Sequence, residues 1–488
     1  MTKHHKNRNI ITRKLKGGKV IGSGGFGCIF NPAIKCKKTA STSGKITKLM
    51  KKKYANAEYK EVSTFYQLLK NIPHFSDYFL LDGFSVCKPE KLSKEDLVDF
   101  DEKCNALQKI KINSDNINNK SKLNKLLALN MPYGGVDVNK YIDDQWDNPK
   151  KMLELNHSLV KLLEFGIIPM NDSHVFHCDL KASNILAREE EGTLRTRIID
   201  WGLSTNYNSG NTLPRVLTDR PFQFNVPFSN VLFTSFFNKM YTSFLVKHPE
   251  PDNYKLRTFV INFVLAWVER RGPGHLKTIN NIFKNFFENE LKTVEPSFRE
   301  ELIEYEYTFY FIFQYITNIL KKFTKNGKFD QMAYLNNVYL KNIDLWGFVV
   351  SYIPIVEDIL NSHKKISQTQ FDILEKIKNL YLILINSDDC PINTKELVAN
   401  LNSLNSLFKH LKPAKIGENT TPSSSSTSSD TFSKREMINE LETTERKDLA
   451  SGPLTPGTRK MIKKRRLHKT VMKTLKNIKS MHSKKAWI

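Results

Sequence analysis

Ile21–Phe30 read IGSGGFGCIF, and no other stretch limits the fold as sharply. Gly22, Gly24 and Gly27 stand as G-x-G-x-x-G, with Gly25 among them. Glycine accepts the backbone angles of a tight turn and lets N–H groups approach an anion with no Cβ in the way. Ile29 and Phe30 then continue a strand pattern. A dinucleotide-binding βαβ unit needs a helix at that point, so the pattern here is strand–loop–strand. Taken alone, it describes a glycine-rich hairpin turn equally well.

A second stretch carries chemistry. Val175–Leu186 read VFHCDLKASNIL. An Asp held on a loop, here Asp179, accepts the proton of an incoming hydroxyl, a task worth about 10²–10⁴-fold in rate. Lys181 neutralises charge that builds on a transferred phosphoryl group. Asn184 offers an amide oxygen to a divalent cation, and IIDWG supplies a carboxylate, Asp200, after an apolar strand. Together they form a kit for metal-assisted phosphoryl transfer; acid–base hydrolysis needs neither the Lys nor the Asn at these offsets. His177 reads as a packing residue that orients the loop, and Cys178 as an inert filler.

The pattern along the chain divides it. Residues 1–17 form a basic arm. Over 18–130 short apolar stretches alternate with turn signals, and GGKVIGSGGFGCIF, GKITKLM, DYFLLDGFSV and LLALNM read as strands. Between them Val62, Phe65, Leu68 and Leu69 share a helical face that Pro73 ends. Polar residues from about 88 to 122 read as a surface insertion. A ribbon, MPYGGVDV, leads into a mostly helical part over 131–411, with a stripe of Met152, Leu155, Leu159 and Leu163. NILA and TRIIDWG form a hairpin around REEEGTLR, and a Phe- and Tyr-rich helical insertion follows at about 210–340. Residues 412–458 are a low-complexity linker that lacks the apolar area to fold. Residues 459–488 are a basic tail with Leu467, Val471, Leu475 and Ile478 at helical spacing.

Charge and cysteines bound the setting. With 488 residues the chain has room for two or three cores. A net charge of +25 favours anionic partners, but charge alone identifies none. The tail reads as an amphipathic segment for nucleic acid or an acidic surface, or as a solvated extension. Cys28, Cys36, Cys87, Cys104, Cys178 and Cys390 contain no C-x-x-C pair. That predicts reduced thiols in an intracellular protein, with neither a zinc site nor a disulfide framework. No apolar run reaches the roughly 18–20 residues of a bilayer span.

On these motifs the chain resembles the eukaryotic-type protein kinases, over nearly all of Ile21–Leu404. The resemblance implies an α+β, two-lobed fold: a small antiparallel β-sheet lobe with one helix, then a larger helical lobe carrying a long insertion. It implies ATP and Mg²⁺ (or Mn²⁺), and a protein Ser/Thr hydroxyl as acceptor. ATP would meet Ile21, Gly22, Ser23, Gly24, Gly25, Phe26, Gly27 and Ile29. The phosphate-contacting lysine would be Lys48 in GKITKLM; Lys35 in PAIKC follows Gly27 too soon. Its helix partner would be Glu61, with Glu58 the alternative one turn earlier. Met131 would stand at the gatekeeper position, Pro132 would offer its carbonyl and Gly134 its N–H to adenine, and Asp137 would meet the ribose. Asp179 and Lys181 would be catalytic, Asn184 and Asp200 would hold metal, and Asp344 in IDLWGFVVSY would be a buried helix Asp.

Departures are equally specific. H-R-D reads H-C-D, which puts activation by loop phosphorylation in doubt; D-F-G reads D-W-G, and RPFQFNVPFSNVLF stands where A-P-E is expected. GSGGFGCIF, MPYGG, HCDLK, DWG and FNxPFS resemble the divergent serine/threonine kinases of large DNA viruses of protists (mimivirus-like), which implies host cytoplasm or the virion as location. Ile199–Trp201 also resembles the IDW of small-molecule kinases of the aminoglycoside-phosphotransferase type. A pseudokinase scaffold acting through the basic tail is the third reading.

Overall fold

The computed structural model describes residues 18–37, 44–208, 210, 212–287, 307–361 and 366–411. The basic arm, the linker and the basic tail expected from the sequence lie outside these residues. The fold is α+β, with helices and small antiparallel sheets in two compact units. One unit takes the described residues up to Tyr66 together with Leu81–Tyr133; the other takes Gln67–Leu80 and the described residues from Gly134 onward.

The first unit is built on a five-stranded antiparallel sheet ordered β1-β2-β3-β5-β4. Its strands are β1 (Lys19–Ser23), β2 (Gly27–Asn31), β3 (Lys45–Lys51), β4 (Ser85–Cys87) and β5 (Leu126–Pro132). Helix α1 (Lys52–Leu69) leaves β3 directly. Leu126 through Asn130 are buried at every position, so β5 is covered on both faces.

One of those covers was unexpected. The 88–122 stretch is no polar surface insertion: Leu92, Phe100, Cys104, Ala106, Leu107, Ile112 and Ile117 pack with Val20, Cys28, Phe30 and Leu49 into one core. Its apolar residues come in single helical turns, Phe100–Lys103 and Asn105–Gln108, too short to form a stripe. Asn and Asp side chains tie the turns, and Asn118 both accepts from Leu92 N–H (2.8 Å) and donates to its carbonyl (2.9 Å). The asparagine content therefore has a structural use.

The expectation of reduced thiols is also corrected. Cys28 pairs with Cys104 and Cys36 with Cys87, at Cα–Cα distances of 5.3 and 5.9 Å, while Cys178 and Cys390 are free. Spacing along the chain hid this, because the partners are 76 and 51 residues apart and only the folded insertion brings them together.

DYFLLDGFSV is a strand only at its end. Phe75–Tyr78 is a helical turn, and Gly83, with φ +75°, breaks the chain direction where the Asp82 carboxylate accepts its N–H.

The second unit holds a three-stranded sheet ordered β6-β8-β9, from β6 (Val136–Asp137), β8 (Ile185–Glu190) and β9 (Thr193–Ile198). The expected β8–β9 hairpin turns at Glu191 and Gly192, both at positive φ, the geometry that suits a two-residue hairpin. A short pair joins β7 (Val175–Phe176) to β10 (Thr205–Asn206). Helices α2 (Val138–Gln145) and α3 (Pro149–Leu162) follow β6, with Asp137 and Asn148 as their N-caps.

The Phe-rich insertion is core in its described part. It comprises α4 (Ser235–Lys247), α5 (Asn253–Arg271), α6 (Leu276–Phe286) and α7 (Tyr307–Phe323), packed through contacts such as Phe237 on Phe263 (5.1 Å) and Phe283 on Phe311 (4.9 Å). Helix α8 (Leu340–Val350) is the hub, buried around nearly its whole circumference, as a helix apolar all round must be. Helices α9 (Ile353–Asn361), α10 (Gln368–Ile385) and α11 (Thr394–His410) complete the unit. No helix of the described residues is long and apolar enough to cross a membrane.

Candidate active site

In the first unit the glycine-rich residues form the β1–β2 turn, closed by a 2.9 Å bond from Gly24 N–H to the Gly27 carbonyl. The glycines differ in what requires them. A Cβ on Gly27 would lie 2.7 Å from the Leu49 carbonyl oxygen, so β2 needs glycine there to approach β3. A Cβ on Gly22 would meet nothing within 4 Å, and packing leaves its lack of a side chain unexplained. Ile21 is exposed, Gly25 and Ile29 are half-buried, and Phe26 stacks on Tyr54 of α1 at 4.4 Å. The Ser23 hydroxyl accepts the Ala106 N–H (2.9 Å), which fastens the turn to the insertion.

Lys48 lies opposite Ile29 on β2 and Leu129 on β5. Its Nζ meets both carboxylate oxygens of Glu58, at 2.8 and 2.7 Å. The expected partner, Glu61, is corrected to Glu58. Because α1 starts directly after β3, its second turn already faces Lys48 and Glu61 is one turn too far. Partial desolvation and the neighbouring Glu58 charge push the Glu61 carboxyl up. Lys35 falls in the connection after β2. Met131 and Pro132 end β5, half-buried.

In the second unit Gly134 packs so tightly that a Cβ would lie 2.6 Å from the Leu186 side chain. Asp137 spends one carboxylate oxygen on the Lys140 N–H (3.0 Å) as the cap of α2.

Two antiparallel pairings bracket the loops that carry the remaining candidates. The β7–β10 and β8–β9 ladders hold the ends of 177–184 and 199–204, and the Ile199 N–H donates to the Asn184 carbonyl at 3.0 Å. Asp200 follows with φ +65°, a left-handed backbone that aspartate tolerates better than most non-glycine residues.

Helix α8 anchors the 177–184 loop from below. The Asp344 carboxylate accepts the backbone N–H groups of His177 and Cys178, each at 2.8 Å. Gly347 lets the loop press on the helix, since a Cβ there would lie 2.4 Å from the Leu180 oxygen. The His177 ring accepts the Asp179 N–H at Nδ1 (3.3 Å), so Nε2 carries the proton that reaches the Ile199 carbonyl at 2.9 Å. Burial lowers its pKa, which keeps the ring neutral. It also packs edge-on against Trp201 at 5.1 Å. Burial pushes the Cys178 thiol well up, so it is an inert filler.

Asp179 is 6 % exposed and surrounded. Asn184 Nδ2 donates to its carbonyl (2.8 Å) and to Oδ2 (3.1 Å), and Lys181 Nζ stands 3.6 Å from Oδ2. Asn225 Nδ2 donates to Oδ1 (2.9 Å) and to the Leu180 carbonyl (3.1 Å). Burial alone would raise the carboxyl, but Lys181, Arg220 and the Asn225 amide outweigh it and hold the pKa at about 2.

The structure thus brings Asp179, Lys181 and Asn184 together and sets Asp200 beside Ile199. Asn225 and Arg220 were missed as functional residues. Both lie in RPFQFNVPFSNVLF, which the sequence offered only in place of A-P-E and, through FNxPFS, as a shared motif; their polarity inside that apolar run was the signal left unused.

A scan against protein-family models gives no match, and no curated protein matches the chain.

Proposed function

We propose that the chain is a serine/threonine-protein kinase that transfers the γ-phosphoryl group of Mg·ATP to a protein hydroxyl. One observation carries this reading: a buried Asp179, ionised at neutral pH, sits in contact with Lys181 and Asn184 on a loop whose backbone Asp344 grips. An ester hydrolase has no use for a lysine and an amide on the same carboxylate, whereas phosphoryl transfer uses both.

The acceptor oxygen attacks the γ-phosphorus, the bond from phosphorus to the β,γ-bridging oxygen breaks, ADP leaves, and the acceptor proton passes to Asp179. With a pKa of about 2, Asp179 is a weak base. It orients the hydroxyl by accepting its hydrogen bond and takes the proton only as the new P–O bond makes that proton acidic. Lys181 offsets charge on the moving phosphoryl group. Lys48, already pinned by Glu58, is held ready for phosphate oxygens.

The residues present suit a hard divalent cation. Asn184 donates through Nδ2 to Asp179, which leaves its Oδ1 as an oxygen ligand, and Asp200 adds a carboxylate. Bound there, the cation would neutralise phosphate charge and order the oxygens for in-line transfer.

The test is transfer of γ-label from Mg·ATP to a mixed protein substrate and to the protein itself, wild type against Asp179→Asn. Label on serine or threonine in the wild type alone supports the reading. ATP binding without labelled protein shifts it to a small-molecule acceptor. Neither binding nor label leaves a scaffold.

A further inference from the structure

The segment Arg220–Asn225 touches the 177–184 loop at consecutive residues. Arg220 Nη1 donates to the Cys178 carbonyl (2.9 Å), while Asn225 Nδ2 donates to the Asp179 carboxylate and the Leu180 carbonyl. The segment is itself fastened. Trp346 Nε1 on α8 donates to the Phe224 carbonyl (3.0 Å), the His275 N–H to the Phe222 carbonyl (2.8 Å), and Asn230 Nδ2 to the Pro221 carbonyl (2.6 Å).

Arg220 is unusual in such a place. It has 0 % exposure, and burying a guanidinium is costly unless its charge and donors are used. Nε donates to Gln223 Oε1 at 2.5 Å and Nη1 to Cys178, while Nη2 has no hydrogen-bond partner among the described residues. Its charge helps hold the Asp179 carboxyl down, and at Asp344 it opposes the burial that pushes that carboxyl up. The residue just before Asp179 is Cys178, whose buried thiol supplies neither a positive charge nor strong donors. A phosphate placed on the surface cannot reach a fully buried arginine, so this charge organises the loop from inside the core.

We propose that Arg220 and Asn225 are positioning residues that hold the 178–180 backbone and the Asp179 carboxylate in working geometry, so that activity needs no prior phosphorylation of the chain. The inference rests on the phosphoryl-transfer reading.

The test uses the full chain, dephosphorylated by a phosphatase, checked by intact mass and assayed for initial rates on dephosphorylated casein. Dephosphorylated wild type is expected to start without a lag and at the rate of untreated protein. Arg220→Met and Asn225→Leu should each lower kcat at least tenfold with the KM for ATP changed less than twofold. Arg220→Lys, which keeps a cation and a donor, should recover part of the kcat lost in Arg220→Met. Unfolded protein also lowers apparent kcat at unchanged KM, so every rate is expressed per folded enzyme, counted from the amplitude of each variant's cooperative unfolding transition; a kcat deficit that vanishes on this scale overturns the inference. A lag abolished by prior phosphorylation, or Arg220→Met at wild-type kcat, overturns the inference. Should Arg220→Met fail to fold, the phosphatase arm and Arg220→Lys decide. Wild type that labels neither casein nor itself in either state overturns the protein-kinase reading, and this inference with it.

Discussion

Asp344 offers the sharpest test of how the site is held. Its two carboxylate oxygens accept the backbone N–H groups of His177 and Cys178, each at 2.8 Å and fully buried. A hydrogen bond to a charged group contributes about 1.5–3 kcal/mol. Asp344→Ala removes both acceptors and leaves two buried donors without partners, an expected loss of about 3–6 kcal/mol. Asp344→Asn keeps one neutral acceptor and turns an amide N–H toward the other donor, so about half of that loss is expected, roughly 2–3 kcal/mol. Urea unfolding followed by tryptophan fluorescence measures the difference. Of the five tryptophans, Trp146, Trp201, Trp267 and Trp346 belong to the second unit and the first has none; with Trp487 of the basic tail replaced by Phe in every protein compared, the signal reports the unit that contains Asp344. Since the same bonds shape the loop around Asp179, phosphate transfer should fall in both variants under conditions where each remains folded. Alanine no more damaging than asparagine, or both within about 0.5 kcal/mol of wild type, refutes the reasoning.

Other consequences follow from the same geometry. Thiol titration of the unfolded, unreduced chain should find Cys178 and Cys390 alone, with Cys28, Cys36, Cys87 and Cys104 reacting only after reduction. Cys28→Ala should cost the first unit about 3.5 kcal/mol by loop entropy, because the intact Cys36–Cys87 bond shortens the released loop to roughly 25 residues; it is read as a lowered unfolding midpoint. Glu58→Gln should raise the KM for ATP and lower kcat together by at least tenfold, whereas Glu61→Gln should change either by less than threefold; the reverse order would restore Glu61 as the partner of Lys48. Asp179 has a folded pKa of about 2, below its ordinary 3.8. Its contribution to stability is therefore complete above about pH 4 and disappears as pH falls toward 2, a shift worth roughly 2 kcal/mol. Acid titration of wild type against Asp179→Asn should show that loss in the wild type alone.

Much of this protein was legible in its residues. Strand alternation placed Lys48 on a strand, and Lys35 fell away for following Gly27 too soon; the hairpin was read around REEEGTLR, of which only Glu191 and Gly192 form the turn and the rest belongs to the strands. The spacing of Asp179, Lys181 and Asn184 fits one short loop, so their proximity is a local property that a sequence can state. Asp344 came from the family resemblance, as a buried helix Asp, and it is buried on α8.

Other features required chain segments remote in sequence to meet. Glu58 rather than Glu61 faces Lys48 because of the angle at which α1 leaves β3, a choice that helical period leaves open between positions one turn apart. Apolar residues in 88–122 lack a period because they belong to single turns, and become a core only against the sheet. Four cysteines spread over β2, the β2–β3 connection, β4 and the insertion became pairs for the same reason. Arg220 and Asn225 reach 178–180 across more than forty residues of chain. Periodicity and spacing report what a segment does to its own neighbours; which donor meets which carboxylate is decided by packing, where a shift of one helical turn separates an ion pair from a solvated charge.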